Sequence, residues 1–135
     1  MGERGNIIVQ DGEDRVYLYT HWGGAEIGQV LQRALAKRWR WDDAQYLARI
    51  IFDELTEGER GETGFGITVR LLDNEYPLLV VDCDSQTVIV ESPAITRLKP
   101  PYKEVARWSF EEFLKLADPD EETGRIAAKI HAESE

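Results

Sequence analysis

Four consecutive apolar residues at positions 78–81, Leu-Leu-Val-Val, constrain the fold of this chain more than any other sequence feature. A strand with one solvent-exposed face alternates apolar and polar side chains, whereas this run does not alternate. It therefore predicts a central strand whose two faces are both covered by other parts of the protein. Residues 83–86 follow as a turn signal, and residues 87–92 complete a predicted hairpin.

The N-terminal part of the chain has the pattern of a hairpin followed by two helices. Residues 6–10 and the alternating residues 15–21 flank a turn that contains Gly12. Apolar residues at helical spacing predict a helix that includes Gly28, where glycine is less favourable than alanine by about 1 kcal/mol. These residues are Ile27, Val30, Leu31, Ala34 and Leu35. A second helix is predicted to begin at Asp42 or Asp43, and its apolar stripe comprises Tyr46, Leu47, Ile50, Ile51 and Leu55.

The remaining elements complete the predicted fold. A strand is expected at residues 65–71, and two C-terminal helices are expected, one capped by Ser109 and Glu112 and one opened by Asp118 and Pro119. The order ββααβββαα predicts an α+β fold: a mainly antiparallel sheet of about five strands, with an αα-hairpin and C-terminal helices on one side. We expect a core domain over residues 1–98. Residues 99–135 are expected to form a Pro-Pro linker and helices that pack on the core or extend from it.

Charge is distributed unevenly along the chain. The 135 residues include 26 acids and 16 bases, which gives a net charge of −10. Residues 56–135 hold 17 of these acids and nine bases, whereas residues 33–41 hold four bases and no acid. The overall acidity argues against duplex nucleic acid as a partner, because affinity for it comes from neutralised phosphates. A local cationic site for a small anion remains compatible with this distribution.

Cysteine content and hydropathy narrow the class of protein further. The single cysteine, Cys83, excludes a disulfide framework and a cysteine-rich zinc site. No run of 18 apolar residues is present, and the first ten residues lack the pattern of a secretory signal. We therefore expect a cytoplasmic protein that neither spans a membrane nor carries a metal or cofactor.

A first candidate binding segment contains His21, Trp22, Gly23 and Gly24, where a predicted strand leads into the first helix. Glycines at such a turn let a ligand approach the backbone, and free amides at a helix start attract anions. His21 would add a titratable group and Trp22 a stacking surface. The competing interpretation is a structural turn with a packed tryptophan.

A second candidate segment, Arg38-Trp39-Arg40-Trp41, lies between the two helices, and Arg38, Arg40 and Trp41 are its expected contact residues. Cations interleaved with indoles can clamp a phosphate and stack a base. Alternatively, the basic residues stabilise a helix C-terminus and the tryptophans close the core. Trp22 and Trp41 lie at opposite ends of the first helix, about 25 Å apart at 1.5 Å per residue. One site using both segments would need a second protomer or a different packing, and we expect a homo-oligomer.

A third candidate segment, residues 73–77, contains Asn74 and Tyr76 as rim contacts to a ligand, although its composition is also that of an ordinary turn. Support for catalysis is weak. His21 and His131 are the only histidines, and no nucleophile elbow or phosphate-binding Gly-Lys-Ser/Thr motif is present. Cys83 lies between two aspartates, which disfavour its thiolate.

Four segments of this chain resemble a group of small proteins of unassigned activity from bacteria, mainly actinobacteria, and their phages. The segments are MGERGN at residues 1–6, YTHWGG at 19–24, RWDD with YLAR at 40–49, and DNEYP at 73–77. The likeness covers roughly residues 1–92. It implies a bacterial or phage setting, in which small acidic proteins act in defence, counter-defence or ligand sequestration, and it transfers no catalytic residue.

We therefore expect a non-enzymatic binding protein that recognises a small anionic or nucleotide-like ligand. The expected contact residues are His21, Trp22, Gly23, Gly24, Arg38, Arg40, Trp41, Asn74 and Tyr76. One alternative is an acidic interaction or inhibitor protein whose C-terminal half mimics nucleic acid and engages a basic protein. A second alternative is a small hydrolase that uses His21 as a base.

Overall fold

The computed structural model describes residues 3–57, 63–92 and 102–133. The strands in these ranges are β1 (Gly5–Asp11), β2 (Asp14–Thr20), β3 (Phe65–Thr68), β4 (Leu78–Asp82), β5 (Thr87–Ser92) and β6 (Lys103–Ser109). The helices are α1 (Ile27–Ala36), α2 (Ala44–Leu55), α3 (Phe110–Leu114) and α4 (Pro119–Glu133), and a short 3₁₀ turn, Gly24–Glu26, precedes α1.

The described strands form one sheet in the order β3-β2-β1-β4-β5-β6. β1 and β4 run parallel at its centre, and the other neighbouring strands are antiparallel. The α+β class and the mainly antiparallel sheet are therefore confirmed. The sheet is mixed, however, and has six strands where the sequence pattern predicts about five.

The prediction of a central strand at residues 78–81 is confirmed. All four side chains of this run are buried in β4, and Ile7, Ile8 and Val9 are buried beside them in β1. Helices α1, α2 and α3 cover one face of the sheet. Leu71 and Tyr102 pack on the opposite face, which explains why these strands carry apolar side chains on both sides.

The two predicted helices form an αα-hairpin against the sheet. The predicted stripe of α1 is buried throughout. The α2 helix begins after Asp43, whose carboxylate accepts a hydrogen bond from the Tyr46 amide at 3.4 Å. The prediction that Tyr46 belongs to the buried stripe is wrong, because its side chain is 44% exposed.

The C-terminal segment continues the sheet before it becomes helical. β6 is absent from the sequence prediction and pairs with β5. The predicted capping box is confirmed: the Ser109 amide donates to Glu112 at 2.8 Å, and the Glu112 amide donates to the Ser109 hydroxyl at 3.0 Å. α4 begins at Pro119 as predicted and packs against α1. Residues 99–101 of the predicted linker lie outside the described residues.

Candidate functional site

The loop at residues 73–77 is joined to residues 4–6 at the start of β1. The Asn6 side-chain amide donates to the Asp73 carbonyl at 2.8 Å and to the Asn74 side-chain oxygen at 3.1 Å. The Glu75 amide donates to the Arg4 carbonyl at 2.8 Å, and the Asn74 side-chain amide donates to the Tyr76 carbonyl. Both ends of the Asn74 side chain are therefore engaged: its oxygen joins the loop to β1, and its amide makes a hydrogen bond within the loop.

Arg4 adds an ion-pair network to the same loop. Its Nε donates to Glu75 at 2.6 Å, and its Nη1 donates to Asp73 at 2.8 Å. The hydrogen bond from the Arg4 side chain is the main reason why the pKa of Glu75 lies below its ordinary value. The pair is exposed to solvent, so it orients the loop more than it stabilises the fold.

Replacing Arg4 with Met is expected to raise the pKa of Glu75 toward its ordinary value, because the side-chain hydrogen bond and the nearby positive charge are lost. In the wild type, stability from this pair is present above the ordinary carboxyl pKa and is lost as pH falls through the lowered value. A ¹³C carboxyl titration by NMR measures the shift. Arg49→Met is the control, and an unchanged Glu75 midpoint in Arg4→Met would contradict the assignment.

His21 and Trp22 form a small aromatic cluster at the end of β2. The Tyr19 hydroxyl lies 3.0 Å from His21 Nδ1, and the Trp22 ring meets the His21 ring edge-on at 4.9 Å. Burial raises the pKa of Tyr19, so its hydroxyl stays protonated at neutral pH. The Trp22 side chain is 54% exposed and covers Gly64, which lies in the loop before β3. This cluster can offer a stacking surface and an imidazole that hydrogen-bonds to Tyr19.

The amides of Gly23 and Gly24 are already bonded within the chain. The Gly23 amide donates to the Thr20 hydroxyl at 3.0 Å, and the Gly24 amide donates to the Glu3 carbonyl at 2.7 Å. Neither donor is therefore open to an anion in this structure. Gly24 instead lies against the Tyr76 ring, where an added Cβ would be 2.6 Å from a ring carbon.

The first backbone amides of α1 are also hydrogen-bonded within the chain. The Asp120 carboxylate of α4 accepts hydrogen bonds from the Gly28 amide at 2.6 Å and the Gln29 amide at 3.0 Å. An aspartate from the C-terminal helix thus takes the position that the sequence pattern assigned to an external anion. The sequence could not reveal this, because Asp120 is about 90 residues away.

Arg38 and Trp41 form the inner side of the turn between α1 and α2, defined here as residues 37–43. The Arg38 guanidinium makes a two-pronged ion pair with Glu111 of α3 and lies 5.1 Å from the centre of the Trp41 ring. The Trp41 ring packs edge-on against Phe110, and its N–H donates to the Leu35 carbonyl at 3.1 Å. These contacts fix the turn on the core.

The outer side of this turn carries cations over exposed aromatic rings. The Arg40 guanidinium lies 4.3 Å from the centre of the Tyr46 ring, and Lys37 Nζ lies 5.4 Å from the centre of the Trp39 ring. Trp39 is 59% exposed. Within the part of the chain that the structure describes, Arg40 makes no ion pair with a carboxylate.

The predicted site residues therefore fall into two groups at opposite ends of α1. One group is His21, Trp22, Gly23, Gly24, Asn74 and Tyr76, and the other is Arg38, Arg40 and Trp41. A ten-residue helix separates them by about 15 Å. The expected contact residues do not include Lys37, Trp39 and Tyr46, although the cations and aromatics from residue 37 onward are a signal that could have added them.

The described residues give little support for a metal site or for a cysteine nucleophile. Among them, no group of three or more His, Cys, Asp or Glu side chains is placed to hold a metal ion. Burial raises the pKa of Cys83 to about 12, with Asp82 as the next cause, so the thiol is a poor nucleophile at neutral pH. Within the same residues, no helix is both long and apolar enough to cross a membrane.

Comparisons with protein-family models, curated proteins and solved structures find no match to this chain. The resemblance to small actinobacterial and phage proteins stays a prediction.

Proposed function

We propose that this protein binds a small anionic, nucleotide-like ligand on the outer face of the α1–α2 turn. The observation that carries the proposal is the Arg40 guanidinium, which lies over the exposed Tyr46 ring without a carboxylate partner among the described residues. A guanidinium in this situation retains free N–H donors for a phosphate.

Two kinds of contact are combined within this turn. Arg40 supplies positive charge, whereas Lys37 lies 3.7 Å from a Glu54 carboxylate oxygen and is partly neutralised. Trp39 and Tyr46 supply flat rings with large exposed areas. A base stacking on an aromatic side chain contributes about 1–3 kcal/mol, and hydrogen bonds to charged groups contribute about 1.5–3 kcal/mol. A ligand with both a phosphate and a planar ring would use both kinds of contact.

The backbone of the turn supports a preorganised site. Arg38 and Arg40 each hold φ at 59°, in the left-handed region that costs a non-glycine residue of the order of 1 kcal/mol. The Arg38–Glu111 ion pair and the Trp41 contacts hold the turn in this conformation. Because the ordering cost is met on folding, less of it opposes binding.

The net charge limits the size of the ligand. A charge of −10 repels a long polyanion, whereas a mononucleotide needs only a local positive charge such as that of Arg40 on the outer face of the turn. The proposal therefore favours ligands with one to three phosphates over nucleic-acid strands.

Replacing Arg40 with Gln is expected to weaken nucleotide binding roughly 10- to 100-fold, because a charge-assisted hydrogen bond is lost. Isothermal titration with AMP, GMP, CMP and UMP, with adenosine and inorganic phosphate as partial ligands, measures the change. Arg33→Gln is the matched control, because Arg33 is exposed on α1 and removes the same charge from outside the turn.

Trp39→Ala separates stacking from charge. It should weaken the binding of the nucleotides and of adenosine but leave the binding of inorganic phosphate unaffected.

Native mass spectrometry of freshly purified protein reports any co-purified ligand and the oligomeric state together. The proposal fails if no nucleotide binds at millimolar concentration, or if Arg33→Gln and Arg40→Gln weaken binding equally.

A further inference from the structure

A groove of about 370 Å³ lies at the end of α1 away from the cationic turn. One wall is formed by Ile27 and by the Tyr76 and Pro77 side chains, and the other by the first turns of α4. The walls are mainly apolar, but acidic residues at the start of α4 line one side of the groove, namely Asp118, Asp120 and Glu121. The groove is thus apolar on one side and acidic on the other.

The negative charge of this groove is not balanced within the described residues. None of its three carboxylates forms an ion pair with a described Lys or Arg, and Arg125 on α4 is paired with Glu122. Burial is the main reason why the pKa of Asp120 lies above its ordinary value, and the charges of Asp118 and Glu26 raise it further. Two amide hydrogen bonds oppose this effect without cancelling it. A cation in the groove would supply the missing countercharge.

We propose that this groove binds a Lys or Arg side chain presented by a basic peptide segment of a partner protein. Long basic side chains bury an aliphatic stem and keep the charged end among polar groups. Here the stem would lie along Ile27, Pro77 and the Tyr76 ring, and the cation would meet Asp118 and Glu121. The charge of −8 carried by residues 56–135 would favour the approach of such a segment.

The test uses a pair of peptides that differ only in charge. Acetyl-Gly-Arg-Arg-Arg-Gly-amide and its citrulline counterpart are each titrated into ¹⁵N-labelled full-length protein at low salt. The arginine peptide is expected to shift the amides of residues 24, 25, 27, 123 and 124, which line the groove. The citrulline peptide should bind at least tenfold more weakly, because it lacks the positive charges.

Variants then locate the binding. The double variant Asp118→Asn with Glu121→Gln should weaken binding of the arginine peptide about fivefold, because two exposed charges are removed. Asparagine at position 118 can still cap the helix. The matched control is Glu13→Gln with Asp14→Asn, which removes two exposed charges from the β1–β2 turn. Equal weakening by both double variants, or peptide shifts spread over other acidic surfaces, would show general attraction and overturn the proposal.

This test is independent of the nucleotide experiment. Arg40→Gln should leave the arginine peptide unaffected, because the cationic turn lies at the other end of α1. The two experiments can therefore contradict the nucleotide proposal and the peptide proposal separately.

Discussion

Replacing Arg15 with Met is expected to lower the free energy of unfolding by about 3 kcal/mol, because it leaves Glu91 buried without its charge partner. Arg15 Nη1 and Nη2 donate to the two Glu91 oxygens at 2.8 and 2.9 Å. The Glu91 side chain is only 9% exposed. A loss of this size is a large share of the 5–15 kcal/mol that holds a typical domain together.

The position of this ion pair explains why its loss should reach the whole sheet. Arg15 is in β2 and Glu91 in β5, so the pair spans β1 and β4. Gln10 of β1 accepts a hydrogen bond from Arg15 Nε at 2.7 Å and donates to Asp82 of β4 at 3.3 Å. One polar network thus ties four strands together on the face opposite helices α1, α2 and α3.

Urea unfolding of the full-length chain measures the effect as a fall in midpoint with an unchanged slope. Arg15→Met with Glu91→Leu should recover most of the loss, because an apolar pair replaces a buried ion pair at little cost. Arg49→Met is the matched control: its partner Asp53 is 63% exposed, so the change should stay below 0.5 kcal/mol. A similar small change in Arg15→Met would contradict the structure.

The parts of the fold that follow from local pattern are predictable from the sequence. The apolar run of β4, the stripe of α1 and the Ser109–Glu112 cap each depend on residues within one element. Parallel pairing of β1 with β4 depends on residues about 70 positions apart, and no local signal carries it. β6 is missed because its alternation places only a few partly buried apolar side chains, among them Trp108, on each face.

In the candidate sites, too, some features are visible in the local sequence and others depend on distant residues. The cationic and aromatic character of residues 37–41 is visible in the sequence, as is the turn chemistry of residues 73–77. Which cations remain unpaired is decided by distant partners: Glu111 neutralises Arg38, whereas Arg40 lies on Tyr46. The sequence could not place Glu3 beside the Gly24 amide or Asp120 beside the first amides of α1, whereas the Gly23 amide is bonded to the nearby Thr20 hydroxyl.

Gly28 provides the second large expected effect, and its sign is opposite to that of helix propensity. Replacing glycine with alanine inside a helix normally stabilises it by about 1 kcal/mol. At Gly28, an added Cβ would lie 2.7 Å from Asp120 Oδ1 and 3.1 Å from the Asp120 backbone nitrogen. We therefore expect Gly28→Ala to lower the free energy of unfolding by about 1–2 kcal/mol, since such close packing forces neighbouring backbone to shift.

The expected cause is the docking of α4, and a double-mutant cycle tests it. The Asp120 carboxylate is held by the Gly28 and Gln29 amides, so it cannot move away from a new Cβ without losing these hydrogen bonds. Asp120→Ala removes the nearest clashing atoms, and in that background Gly28→Ala should be neutral or stabilising. Urea unfolding of the four proteins gives the coupling free energy. If Gly28→Ala stabilises the protein in both backgrounds, α4 does not sit against the start of α1, and the groove between them is lost as well.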